Sequence, residues 1–190
     1  MNEKGSDRRT LKTRRAICEA LAELLAEKEL HKVTVQEIAD KADINRVTFY
    51  KHYLDVYDLY DKIEQETLVE LGLLVLKLDE VQSKEFCKDF VDYIEDNKAV
   101  FKMMFSPNST QSMRDKFTKL VEGLFLKVES EQLNARLDDD VLLYETCYRA
   151  QGAIAVISKW VLGGFSESRD FLVKVLSELD SNTGKLILKK

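Results

Sequence analysis

The chain has 190 residues, of which 45% are hydrophobic, with one proline and seven glycines. That is apolar material for one compact protein, with room for two subdomains, and too few turn residues for a β-rich fold. The formal charge of −5 argues against a uniformly basic nucleic-acid binder, yet residues 1–62 are neutral and the first fifteen hold six basic against two acidic side chains.

Phosphates respond to charge within a Debye length of about 8–10 Å, so a basic arm counts for more than the total. Residues 1–8 are expected to be mobile. A first helix runs from Arg9 to about Glu29, with Leu11, Ile17, Leu21, Leu24 and Leu25 on one face. Arg8, Arg9, Lys12 and Arg15 are placed to reach phosphates or an adjacent minor groove.

Val33 to Tyr53, VTVQEIADKADINRVTFYKHY, reads as two short helices joined by a tight turn. Thr34 with Glu37 three residues on has capping-box spacing, and Val33 with Ile38 has staple spacing. Ile38, Ala39 and Ala42 form an apolar stripe, Ile44 turns inward, and Asn45 caps the second helix, Arg46 to about His52. Val47 and Phe49 are expected inside; Arg46, Thr48, Tyr50, Lys51 and His52 are left to face outward. This order of features is the helix-turn-helix pattern, whose second helix reads the major groove.

Asp55, with Asp58 three residues on and Leu54 and Leu59 at staple spacing, opens a long helix to about Leu78. At 1.5 Å per residue it spans roughly 35 Å and suits a lever. Ser83 begins a helix with Phe86, Phe90, Val91 and Ile94 inside; Asn97 ends it, and Lys98–Phe105 is a short apolar helix. After the Ser106-Pro107-Asn108-Ser109 break comes a helix from about Thr110 to Val128, then a polar connection over 129–137. Asp138-Asp139-Asp140 opens a helix to about Leu162, with one face on Leu143, Cys147, Ala150, Ile154, Ile157 and Val161 and a second on Gly152, Val156 and Trp160. Gly163-Gly164 stops it, and Ser168 starts a last helix carrying Phe171, Leu172, Val175, Leu176 and Leu179. Two apolar C-terminal helices fit a symmetric four-helix homodimer interface.

The run T-V-Q-E-I-A-D-K-A-D-I-N-R-V-T-F-Y-K-H-Y resembles the DNA-binding signature of TetR-family transcriptional regulators over about residues 9–60. Asp43 stands where the family usually has glycine; Asp tolerates the left-handed turn conformation better than most residues. Val56-Tyr57 stands where a lysine and an acid are usual, which removes a phosphate contact made in relatives. The resemblance implies an all-α fold of about nine helices, with a three-helix DNA-binding domain over 1–55 and a helical effector-binding and dimerisation domain over 56–190. It implies DNA contact at Thr34, Asn45, Arg46, Val47, Thr48, Tyr50, Lys51 and His52, Val47 being counted although its side chain is expected inward. The partners implied are a second copy of the chain, a palindromic duplex, and a small molecule or protein that releases a repressor from it. Candidate pocket residues are Tyr93, Phe101, Met104, Phe117, Phe125, Tyr144, Tyr148 and Trp160, each of which also suits plain core. The segment GAIAVISKWVLGGF is similar to a subgroup that includes regulators of dihydroxyacetone-kinase operons, some of them coactivator-dependent activators.

An enzyme is not expected. The two histidines, His31 and His52, are far from any nucleophile elbow, glycine-rich phosphate loop or metal-ligand spacing, and no metal or cofactor is called for. Cys18, Cys87 and Cys147 read as reduced core thiols of a cytoplasmic protein with neither signal peptide nor membrane span. A helical protein-binding adaptor is the alternative to a DNA-binding regulator.

Overall fold

The computed structural model describes residues 3–76, 83–133 and 140–187; among them the fold is all-helical, without strands. The described residues form nine α-helices in succession: α1 (Glu3–Glu27), α2 (Val35–Lys41), α3 (Arg46–Tyr50), α4 (Val56–Leu76), α5 (Ser83–Asp96), α6 (Lys98–Phe105), α7 (Gln111–Leu133), α8 (Asp140–Leu162) and α9 (Arg169–Ile187). A single 3-10 turn, Leu30–Lys32, separates α1 from α2. None of the helices described is long and apolar enough to cross a membrane. The chain forms two compact units, Met1–Thr67 with Asn97–Gln111 and Leu68–Asp96 with Ser112–Lys190. The first therefore takes in α6 and the opening turns of α4, beyond the three N-terminal helices.

The core of the first unit is made by Ile17, Leu21 and Leu25 of α1, Ile38 of α2, Phe49 of α3, Leu59 of α4 and Phe101 of α6, all fully buried. α1 packs along both α6 and α2. Glu27-Lys28-Glu29 contains no helix breaker, yet α1 stops there. The Leu25 carbonyl is taken by the Ser106 hydroxyl at 2.6 Å and the Asn108 side-chain amide at 3.1 Å, from the corner after α6. The same corner holds α4: the buried Tyr60 hydroxyl accepts from Thr110 and shares a hydrogen bond with Ser109, each at 2.8 Å. A buried phenol without such partners would be costly.

In the second unit α5 and α8 both pack on α9. Arg169 at the start of α9 pairs with Asp92 (3.1 Å) and Glu95 (2.8 Å) of α5. Phe90 and Phe117 stack with ring centres 6.2 Å apart. Arg149 of α8 is buried; it donates twice to Asp180 Oδ1 of α9, at 2.9 and 2.7 Å, and lies 4.8 Å over the Phe125 ring. Glu145, one turn earlier, supplies a second carboxylate at 3.6 Å, this one buried.

Several expectations are corrected. α1 begins at Glu3, six residues before the expected start at Arg9. Leu11 is exposed because the buried stripe of α1 starts a turn and a half later, at Ile17. Leu54 is 78% exposed, so it makes no staple with the buried Leu59. Residues 129–133 continue α7 instead of forming a connection. Leu143 and Cys147 face outward: the inner face of α8 is set one step away, on Leu142, Thr146, Arg149 and Ala150, because the Arg149 ion pair is turned toward α9. Cys147 is thus no core thiol, whereas burial pushes the Cys18 thiol up to about 12. Leu78, residues 134–137, Asp138, Asp139 and the side chain of Phe86 lie outside the described residues.

α8 ends as its two glycines require. Phe165 N–H reaches the Trp160 carbonyl (2.9 Å) and Gly164 N–H the Val161 carbonyl (3.1 Å), with Gly164 at φ +77°. This is a Schellman closure, and its companion apolar contact is the edge-on Trp160–Phe165 pair at 4.7 Å. A Cβ on Gly164 would meet nothing within 4 Å, so only backbone strain opposes it. Gly164→Ala is expected to cost about 1–2 kcal/mol, read as a lower urea midpoint with an unchanged slope.

Candidate nucleic-acid interface

The interface is built on α2, which seats α3. Thr34 Oγ accepts from Glu37 N–H (3.3 Å), and Thr34 N–H donates to Glu37 Oε2 (3.0 Å), closing the capping box. The other Glu37 oxygen pairs with Lys28 at the end of α1. At the far end of α2, Lys41 pairs with Glu23 of α1 at 2.9 Å. Both ends of a seven-residue helix are therefore tied to one scaffold helix. The Lys28 ammonium, then the Thr34 hydroxyl and amide, hold the Glu37 carboxyl down to about 2.

The turn uses Asp43 at φ +53°, the left-handed conformation, and Ile44 N–H returns to the Ala39 carbonyl at 3.0 Å. Asn45 Oδ1 accepts from Val47 N–H at 2.8 Å and so fixes where α3 starts. Behind α3, Phe49 is buried and packs edge-on to Tyr50 and obliquely on Tyr53, with ring centres 5.7 and 5.6 Å away. Tyr53 receives a hydrogen bond from Arg14 Nε (3.4 Å), and the same guanidinium donates to Glu66 at 2.6 Å. Lys62 bonds Asp58 (2.9 Å), reaches the His52 carbonyl (3.4 Å) and sits 5.5 Å over the Tyr53 ring. Asp55 caps α4 through Asp58 N–H at 2.8 Å.

At 100° per residue, Arg46, Tyr50, Val47 and Lys51 fall within an arc of about 140°, and all four are exposed. Val47, expected inside with Phe49, is 65% exposed, because in so short a helix Phe49 alone points at the core. Thr34 and Asn45 are exposed but have their side chains engaged as caps. Thr48 and His52 are half-buried, the His52 ring leaning on Tyr53 at 6.1 Å. Tyr50 is exposed, as expected of the outward face. Arg8, Arg9, Lys12 and Arg15 are exposed on α1, with Arg15 paired to Glu19 at 3.0 Å. The Arg14–Tyr53–Glu66 and Lys28–Glu37 ties escaped the sequence reading, since nothing local links partners so far apart in the chain.

The eight pocket candidates are divided between the two units. Phe101 and Met104 are buried in the first unit. In the second, Phe117 and Trp160 are buried, Phe125 is half-buried, and Tyr93 is half-buried with its hydroxyl on Glu70 at 2.8 Å. Tyr144 and Tyr148 are 79% and 70% exposed on the outward side of α8.

Two family models match. Residues 17–61 fit the model described as bacterial regulatory proteins, tetR family, and residues 82–181 the one described as transcriptional regulator C-terminal region. The helix-turn-helix-type transcriptional regulator YxbF of Bacillus subtilis (strain 168) is 37% identical over 70 residues, which is 36% of this chain and only 18% of that relative's length. Among solved structures, a TetR/AcrR-type regulator from Aquifex aeolicus VF5 is similar at a TM-score of 0.63 and 18% identity, over 87% of this chain and 96% of that one. The dihydroxyacetone kinase operon activator DhaS gives 0.57 at 20% identity, covering 88% and 93%. FadR from Bacillus subtilis, in complex with stearoyl-CoA, gives 0.56 at 16%, covering 87% and 96%. At these identities the structures establish a shared fold.

Because the Glu37 carboxyl is depressed in the folded state, its contribution is complete above its ordinary value of 4.5 and is lost as pH falls from there toward about 2. The stability gap between the parent and Glu37→Gln should accordingly shrink across that window in urea unfolding at a series of pH values. A gap that stays constant from neutral pH to pH 2 would remove the ion pair from the account.

Proposed function

Because the chain belongs to the TetR family of bacterial transcriptional regulators, we propose that it is a homodimeric repressor whose two α3 helices read the half-sites of a palindromic operator. DNA-binding regulation rather than catalysis is the family's activity. The observation that carries the site is the exposed edge of α3, Arg46, Tyr50 and Lys51, held rigidly by a helix capped at one end and ion-paired at both. Arg46 is the residue for guanine, since its fork matches O6 and N7 in the major groove. Lys51, Tyr50 and the exposed bases of α1 supply phosphate contacts, and Thr34, Thr48 and His52 border them. Val56, buried in the first turn of α4, offers no charge where relatives hold a lysine, so the backbone grip falls more heavily on α1.

The dimer reading is supported by the face that α8 and α9 leave uncovered: Tyr144, Tyr148 and Leu162 on one, Phe171 and Leu179 on the other, all more than half exposed. Two-fold symmetry then sets half-site centres about one or two helical turns apart, each roughly 34–36 Å. The domain division, a reading head through about residue 55 and an effector and dimerisation part beyond it, is part of the same proposal, as is a cytoplasmic location. A small-molecule or protein effector acting on the second unit would release the duplex by favouring a different spacing of the two heads; a coupling of about 1–3 kcal/mol is typical. The sign of regulation is the second reading: the fold is shared with a protein named as an operator's activator.

Selection of bound fragments from genomic DNA by the purified chain is the direct test, followed by a salt titration on the enriched palindrome. Steep loss of affinity with salt is expected. Arg46→Ala should cost about 1–3 kcal/mol at the preferred site and flatten discrimination there. A chain that remains monomeric and enriches no duplex would support the adaptor reading instead.

A further inference from the structure

Val47 stands apart from the other aliphatic residues of the helix-turn-helix. Val33, Ile38 and Ala39 are buried, and Phe49 is buried behind α3, but Val47 leaves 65% of its surface in solvent. Local stability does not account for it, since a β-branched residue is a mediocre helix former and an exposed one gains nothing from packing. Its backbone N–H is already committed to Asn45 Oδ1 at 2.8 Å, so that group has no free donor for a phosphate. Its side chain carries no polar atom and, in a helix, holds one strongly preferred rotamer. It sits between Tyr50 and Lys51 on the outward arc, next to Arg46 in the chain.

A rigid apolar group on the reading edge finds one apolar partner on the floor of the major groove, the C5 methyl of a pyrimidine. We propose that Val47 is a specificity residue that reads the 5-methyl group of thymine at a fixed position in each half-site, beside the pair read by Arg46. This rests on the operator reading above and adds a second readout to it: Arg46 reads polar edges, and Val47 recognises a methyl by excluding water from it. The same chemistry accepts 5-methylcytosine, so the methyl rather than the base pair is the recognised feature.

The test uses the full chain with randomised duplexes, comparing the parent with Val47→Ser. The parent should enrich sites with thymine at one constant position per half-site, and Val47→Ser should lose that preference while keeping the rest of the motif. Deoxyuridine in place of that thymine removes only the methyl and should weaken the parent about fourfold per half-site, the scale of burying one methyl-sized group; Val47→Ser should not respond. 5-Methylcytosine should be better tolerated there than cytosine by the parent. Equal binding of both variants to a non-specific duplex checks that the fold is intact. The proposal is overturned if the parent ignores deoxyuridine at every thymine, or if Val47→Ser keeps the same thymine preference. If the parent enriches no motif at all, the operator reading falls first and takes this one with it.

Discussion

One carboxylate organises the reading head. Glu37 closes the cap of α2 through Thr34 and, with its other oxygen, binds Lys28 at the end of α1. Without that anchor α2 would be a seven-residue helix, too short to persist on its own propensity, and α3 is shorter still. Their order is borrowed from α1: Lys28–Glu37 and Lys41–Glu23 fix the two ends, and Ile38 and Ala39 fill the seam. The setting of Arg46 at the start of α3 therefore depends on ion pairs and apolar contacts between α2 and α1. Surface ion pairs are weak singly, typically below about 1 kcal/mol; here their effect is to choose one seating among several that the apolar seam would permit.

The second unit uses charge differently. Arg149 is buried between α8 and α9 with two carboxylates and an aromatic face as company. A hydrophobic side chain would cost less desolvation at such a point. The arginine instead decides the rotation of α8, because Leu142 and Ala150 must accompany it inward, which leaves Tyr144 and Tyr148 outside. The exposed aromatic face is thus a consequence of a buried ion pair on the opposite side of the same helix.

The elements that announce themselves over short range were legible in the sequence. Thr34 with Glu37, Asn45, Asp55 with Asp58, and Gly163-Gly164 all act within five residues, and each makes the expected hydrogen bonds. Asp43 takes the positive φ that the turn needed. Helix rotation was harder to read. Val47, Leu143 and Cys147 were each misplaced, because an apolar residue one step off the true stripe looks the same in a sequence window; only the partner helix decides. Ties such as Arg14 to Glu66 or Ser106 to Leu25 connect residues with no local signature, so they could not be anticipated. Aromatic residues at helical spacing mark cores and open faces alike, so the buried Phe117 and the exposed Tyr148 carry the same signal in the sequence.

The clasp on the Leu25 carbonyl has a consequence for dissecting the molecule. The donors that close α1, Ser106 and Asn108, lie 81 and 83 residues further along the chain. Thr110 and Ser109 secure Tyr60 from the same corner. An N-terminal fragment ending after α4 would retain every residue of the helix-turn-helix and lose the segment that tells α1 where to stop. Its first helix would be free to run on through Glu27-Lys28-Glu29, carrying Lys28 away from Glu37. The head is autonomous in its motif and dependent in its folding.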